Sequence, residues 1–163
     1  MDPRPVFIVQ LWWFILCWAL IAYFVIWPSA RRLSLRDRLS LYIAPEMFRV
    51  LGVGLLVPSL SPGMPSEFAV PTAICDSLTA LLSVAAFIAL RRGSGLSKAL
   101  VWAATVVGIT DLVIALPHAM HTGAIAHMAA QWFVPVVAGP IMVVAHVCCL
   151  ITLIRERRTP LAD

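Results

Sequence analysis

The sequence predicts an all-α integral membrane protein, a single transmembrane domain of residues 1–163 built as a bundle of five helices. Hydrophobic residues make up 61% of the chain and charged residues 12%, against roughly 25% charged in typical soluble domains. The apolar residues fall into five runs, each close to the roughly 20 residues that a helix needs to cross a bilayer. Lys and Arg are concentrated in alternate connections between these runs.

The first predicted span, residues 5–27, carries no charge and is rich in Trp, Phe, Ile and Leu. It is too long for the core of a signal peptide, and basic residues follow it rather than precede it, so we expect a retained helix. The second span, residues 39–57, is less apolar and contains Pro45, Glu46 and Arg49. Pro45 predicts either a kink in this helix or its start.

Apolar runs of helical length predict three further spans, at residues 71–90, 98–117 and 131–154. The connection between the first two spans contains a segment, residues 34–41, in which leucines alternate with arginines. This segment predicts either a helix lying along the inner membrane surface or a solvated linker.

The distribution of basic residues predicts the orientation of the bundle. The connections at residues 58–70 and 118–130 contain no Lys or Arg, so the positive-inside rule places them outside the cytoplasm. The N-terminus is then outside and the C-terminus inside, with Arg4 as the one exception. The net charge of +4 therefore indicates orientation and contact with anionic lipid headgroups rather than nucleic-acid binding. The basic residues at the predicted inner end are Arg31, Arg32, Arg36, Arg38, Arg91, Arg92, Lys98, Arg155, Arg157 and Arg158.

Four ionisable residues inside the apolar runs are the candidate binding residues: Arg49, Asp76, Asp111 and His146. A charged group at bilayer depth costs several kcal/mol, so such residues usually face a partner, a cavity or a pathway. Asp76 and Asp111 each lie about 8–9 Å from the outer end of their predicted spans, on neighbouring antiparallel helices. Two carboxylates at matching depth tend to share one proton or one cation.

Helical periodicity places these residues on faces rich in small side chains, where helices approach closely. The faces on the third, fourth and fifth spans comprise Thr72, Asp76, Ala80, Ser83 and Phe87; Ala104, Gly108, Asp111, Ala115 and His118; and Pro135, Gly139, Met142, His146 and Cys149.

The charges of these candidates do not cancel. If Arg49, Asp76 and Asp111 are buried together, a proton, an imidazolium at His146 or a bound cation must neutralise one negative charge. Glu46, three residues before Arg49, pairs with the arginine at helical spacing and adds to the imbalance. A plainer interpretation is that the polar groups only tie the helices in register.

The sequence contains no complete motif for haem, metal, nucleotide or hydrolase chemistry. His118 and His121 have a spacing compatible with a metal site if the fourth helix continues past Pro117. The cysteines all lie within predicted spans and indicate small buried hydrophobic residues: Cys17, Cys75, Cys148 and Cys149.

One set of motifs resembles a family of small uncharacterised bacterial multipass inner-membrane proteins, over roughly residues 45–158. The resemblance implies an inner-membrane location and marks the same four polar residues, but it implies no established activity. Glycines usually precede the first aspartate in that family, where this chain has residues 72–75, Thr-Ala-Ile-Cys. The matching elements are Phe48-Arg49-x-x-Gly52, Phe68-Ala69-x-Pro71 with Asp76, Trp102, Gly108-x-x-Asp111-Leu112, Pro135 and His146.

Three classes of function fit this sequence. The favoured one is a membrane bundle that binds or translocates a small hydrophobic or cationic molecule and holds a proton or cation at the four polar residues. The second is an intramembrane acid–base enzyme that uses a carboxylate and His146 on a lipid-like substrate. The third is an accessory or assembly subunit of a larger membrane complex, or a homo-oligomer, in which the polar residues are structural.

Overall fold

The structure is a computed structural model that describes residues 2–159 and residue 161. Within these residues every regular element is helical, and five helices are long and apolar enough to cross a membrane. The five-helix prediction is therefore confirmed, with a short 3-10 turn, Ala124–His127, between the last two. The helices are α1, Arg4–Ala30; α2, Leu35–Leu56; α3, Ser66–Arg91; α4, Ser97–Thr122; and α5, Ala129–Arg155.

The hairpin of α3 and α4 is longer than predicted because two prolines lie inside its helices rather than at their ends. Pro71 lies inside α3, which begins at Ser66, and Pro117 lies inside α4, which ends at Thr122. Each proline removes one backbone hydrogen bond, a loss that neighbouring helices and local adjustment compensate in apolar bundles. Gly123, with φ +72°, ends α4 in the left-handed conformation that glycine adopts without strain.

Prolines also explain two widened turns, in α1 and α5. The π-helical segments Ala22–Ile26 and Val134–Ala138 end two residues before Pro28 and Pro140 respectively. The Trp27 N–H donates to the Ala22 carbonyl, five residues earlier. The Gly139 N–H donates to the Val134 carbonyl in the same way. Because proline has no N–H, the wider turn carries each helix past it.

The second helix changes type along its length. Residues Leu35–Ile43 are α-helical, and the Ser34 hydroxyl caps them by accepting a 3.1 Å hydrogen bond from the Asp37 N–H. Leu39 in this segment is fully buried. Residues 34–41 are thus the cap and first turns of α2, which corrects the solvated linker; the predicted helix is present and continues into the rest of α2.

From Ala44 to Leu56, α2 continues as a 3-10 helix. With three residues per turn, side chains three apart lie in one line along such a helix. The buried residues of this segment are Glu46, Arg49, Gly52 and Leu55, which have that spacing. The 3-10 geometry therefore aligns Glu46, Arg49 and Gly52 along one edge of α2.

Packing places α3 between α2 and α4, while α5 packs against α4 and α1. Two apolar cores form, one toward each end of the bundle. One includes Ile43, Leu90, Val101 and Cys149, and the other includes Phe7, Leu55, Phe68, Ala119 and Met128. Along α2, α3, α4 and α5 the candidate polar residues fall between these two cores.

Candidate functional site

Arg49 joins three helices at the centre of the bundle. Its Nε donates a 2.8 Å hydrogen bond to Asp76 Oδ1, and its Nη2 lies 2.7 Å from the same oxygen. Nη2 also donates to Asp111 Oδ2. The side chain of α2 thus bridges the carboxylates of α3 and α4, so three of the four predicted residues converge.

These three residues lie at one level of the bundle. Arg49 is seven residues before Leu56, which at the 3-10 rise of about 2.0 Å per residue is roughly 14 Å. Asp76 is ten residues after Ser66 and Asp111 eleven residues before Thr122, or about 15 and 16 Å at the α-helical rise. The carboxylates are deeper than the expected 8–9 Å because α3 and α4 extend past Pro71 and Pro117.

His146 completes the arrangement through Glu46. Its Nε2 lies 2.8 Å from Glu46 Oε2, a close charge contact without hydrogen-bond geometry. Glu46 Oε2 is also 4.0 Å from Arg49 Nη1. Glu46 is 0% and His146 1% exposed, so both are enclosed by protein. We call Glu46, Arg49, Asp76, Asp111 and His146 the charged cluster.

The charged cluster carries a surplus of negative charge. Three carboxylates face one guanidinium and one imidazole, so one negative charge remains even when His146 is protonated. The imidazole of His146 lies against Glu46, so any positive charge on it lies next to that carboxylate. Asp76 and Asp111 share the single positive charge of the Arg49 guanidinium.

Two glycines make room for the charged cluster. A methyl group on Gly52 would overlap the carboxyl group of Asp76, and one on Gly108 would overlap the ring of His146. The absence of a side chain therefore lets Asp76 reach the backbone of α2 and His146 reach that of α4. In the sequence both glycines stood out only as motif positions, with Gly108 also on a face of small residues, and neither position predicted a contact with the charged cluster.

We expect Gly108→Ala to lower the free energy of unfolding by about 1–3 kcal/mol, the usual cost of overpacking a well-packed interior. The added methyl group would overlap His146 Nε2 and lie 3.0 Å from the Thr79 methyl group, so His146 must be displaced in a site where Thr79 already limits the space. Gly95→Ala is the matched control, since a methyl group there meets nothing within 4 Å. Thermal unfolding in detergent measures both variants; equal effects at the two glycines would contradict the close packing.

A cavity of about 540 Å³ opens beside the charged cluster and receives side chains from all five helices. All four predicted residues line it, and Thr72 and Gln131 add polar groups. Its remaining walls are mainly apolar. We call it the central cavity; representative wall residues are Leu11, Ile15, Leu55, Phe68, Leu112, Leu116, Val134, Met142 and Leu150.

Two parts of the central cavity were not predicted. The first helix supplies Phe7, Leu11, Trp12 and Ile15, although no ionisable residue within its apolar run marked it. Gln131 is buried, and its Oε1 has no hydrogen-bond partner among the described residues. An amide at the start of an apolar span was the available signal for it.

The predicted metal residues lie apart from the charged cluster. As that prediction required, α4 continues past Pro117 to Thr122, so His118 and His121 both lie on helix. The His118 ring packs edge-on against Phe68, with the ring centroids 5.7 Å apart. Within residues 2–159 and residue 161, no three His, Cys, Asp or Glu side chains gather in a way that could hold a metal ion.

The fold and the site define a class of small all-α protein, in which five apolar helices surround a cavity bordered by a buried charged cluster. The chain belongs to the family of a domain of unknown function, DUF8737, whose model matches residues 6–154. That match includes α1, whereas the motif resemblance began near residue 45. No curated protein and no solved structure matches the chain.

Proposed function

We propose that this protein binds or translocates a small apolar molecule in the central cavity of a membrane-embedded bundle, with the charged cluster holding a proton or the ligand's cationic group. One observation carries the proposal: an apolar cavity of about 540 Å³ is bordered by buried carboxylates whose charge is not balanced. Cavities of roughly 300–1,000 Å³ with a few convergent polar groups are typical of small-molecule sites.

Membrane embedding in the bacterial inner membrane is part of this proposal. Its support is the set of five long apolar helices, together with large hydrophobic side chains exposed on α1, such as Trp13, Tyr23 and Phe24. The basic connections support an outside N-terminus and an inside C-terminus.

A pair of single cysteines tests this orientation in the full chain after the native cysteines are replaced by Ala. Ser59 and Gly95 are both exposed and lie in connections at opposite ends of the bundle. We expect a membrane-impermeant maleimide to label Ser59→Cys in intact cells and to label Gly95→Cys only after lysis. The reverse pattern would invert the proposed topology, and labelling of both in intact cells would contradict the bundle's insertion.

The arrangement favours binding over catalysis. His146, the one imidazole in the cluster, directs Nε2 toward Glu46, and its residue is 1% exposed. The side chains of Asp76 and Asp111 are more accessible, at 14% and 8%. The more accessible groups at the cavity are thus carboxylates already bound to Arg49, which suit a cationic partner better than they suit acid–base chemistry.

A lipophilic cation is a direct probe of the central cavity. We expect tetraphenylphosphonium to raise the unfolding temperature of the purified protein and the neutral triphenylphosphine oxide to raise it much less. The cation replaces one proton, so its affinity rises with pH by at most about tenfold per pH unit. Binding measured by calorimetry at several pH values tests this exchange.

Variants distinguish this binding function from the two alternatives, an intramembrane enzyme and an assembly subunit. Asp76→Asn removes the surplus charge and is expected to abolish the preference for the cation. Glu67→Gln, an exposed carboxylate on the same helix, is expected to retain it. Equal binding of the cation and the neutral probe would contradict the proposal. Turnover of a co-purified lipid lost in His146→Ala would favour the enzyme, and a stoichiometric membrane partner without probe binding would favour the assembly subunit.

A further inference from the structure

A second cavity, of about 300 Å³, lies at the basic end of the bundle between α1, α2 and α5. We call it the basic-end cavity; it is lined by Trp27, Arg31, Arg38, Tyr42, Thr152, Arg155 and Glu156. We propose that it binds the phosphate group of an anionic ligand, either a phospholipid headgroup or free phosphate. This site is separate from the central cavity and does not depend on the function proposed for it.

The charges that line the basic-end cavity favour an anion. Three guanidiniums face one carboxylate, that of Glu156. Arg38 Nη1 lies 3.6 Å from Glu156 Oε1, while Oε2 of the same glutamate accepts a hydrogen bond from Thr159. The Lys98 ammonium donates to the Glu156 backbone carbonyl at 3.0 Å, which adds further positive charge nearby.

Two of the arginines lie against the same tryptophan and have no carboxylate partner among the described residues. The guanidinium carbons of Arg31 and Arg155 lie 5.7 and 5.8 Å from the centre of the same Trp27 ring. Neither arginine forms an ion pair with another described residue. Both guanidiniums line the basic-end cavity, and guanidinium is the side-chain group best suited to bind phosphate oxygens.

Buried hydroxyl groups supply the second observation. Tyr42 is 3% and Thr152 1% exposed, and neither hydroxyl has a hydrogen-bond partner among the described residues. Arg38 Nε is likewise buried without a partner in that part of the chain. All three side chains line the basic-end cavity. Unpaired buried donors are costly, and phosphate oxygens accept several hydrogen bonds at once, so one phosphate group matches this set of donors.

The rings of the site are already ordered. Trp27 and Tyr42 stack with centroids 6.2 Å apart and an interplanar angle of 11°, which joins α1 to α2. Basic pockets between transmembrane helices on the cytoplasmic side are places where anionic headgroups bind. A phospholipid would place its phosphate in the cavity and its acyl chains along the apolar outer surface.

The experiment uses the full chain in nanodiscs of phosphatidylcholine, with or without phosphatidylglycerol, and in neutral detergent with inorganic phosphate against chloride at equal ionic strength. We expect phosphatidylglycerol to raise the unfolding temperature and to remain bound in native mass spectrometry. Stabilisation by phosphate in detergent would assign free phosphate as a ligand, whereas stabilisation by the lipid alone would assign the headgroup. No stabilisation by either would overturn the proposal.

Matched variants connect the effect to the cavity. Arg31→Gln with Arg155→Gln is expected to abolish the stabilisation, while Arg32→Gln with Arg158→Gln, exposed arginines outside the cavity, is expected to retain it. Tyr42→Phe keeps the ring stack and removes one donor, so we expect anion affinity about tenfold weaker and stability without ligand unchanged or higher. Equal anion responses in the wild type and in both the double arginine and Tyr42 variants would refute the site.

Discussion

Replacing Arg49 by Ala is expected to lower the free energy of unfolding by about 3–5 kcal/mol, the usual consequence of removing one partner from a buried charge pair. Arg49 is 3% exposed and is the cation to which both Asp76 and Asp111 bind. Without it, the nearby carboxylates must take up protons or repel each other in a low-dielectric interior. The variant should therefore unfold well below the wild-type temperature in detergent.

Two further variants show whether charge or packing causes this loss. Arg49→Lys keeps the positive charge, but an ammonium on a flexible stem cannot reproduce the guanidinium's fixed donors, so we expect a smaller loss. Arg49→Met combined with Asp76→Asn and Asp111→Asn removes all three charges and should recover much of the stability. If the triple variant is no more stable than Arg49→Ala, lost packing explains the effect and the charge argument is wrong.

The two aspartates are expected to be individually dispensable and jointly required for stability. Asp76→Asn or Asp111→Asn removes the surplus negative charge and leaves Arg49 with one bound carboxylate, so each should change the free energy of unfolding by about 1 kcal/mol or less. The double variant should lose about 3 kcal/mol. This loss is at the lower end of the range expected when a buried charge loses its partners, because the Glu46 carboxylate remains 4.0 Å from Arg49.

A double-mutant cycle measures this non-additivity directly. Equilibrium unfolding of the wild type, the two single variants and the double variant gives a coupling energy, and Glu67→Gln serves as an exposed-carboxylate control. Additive losses from the two aspartates would show that each makes an independent structural contact. That result would support the interpretation of the cluster as a simple tie between helices.

Much of the candidate site was visible in the sequence because charges inside apolar runs are conspicuous. Arg49, Asp76, Asp111 and His146 were selected on that basis, and the structure places all four around the central cavity. The part of the central cavity wall that α1 supplies could not be predicted, because its apolar side chains do not differ from those that face lipid. Gly52 was likewise indistinguishable from any other small residue.

The sequence by itself determined the five helices, because an apolar run of bilayer length buries its backbone polar groups only as a helix. It also determined which residues are chemically out of place. Only the tertiary structure decided where the helices end, since Pro71 and Pro117 are compatible with either a boundary or an interior position. It alone decided that the 3-10 register of α2 directs Glu46 to His146 and Arg49 to both aspartates. Contacts between helices depend on packing across the bundle, and local spacing does not encode them.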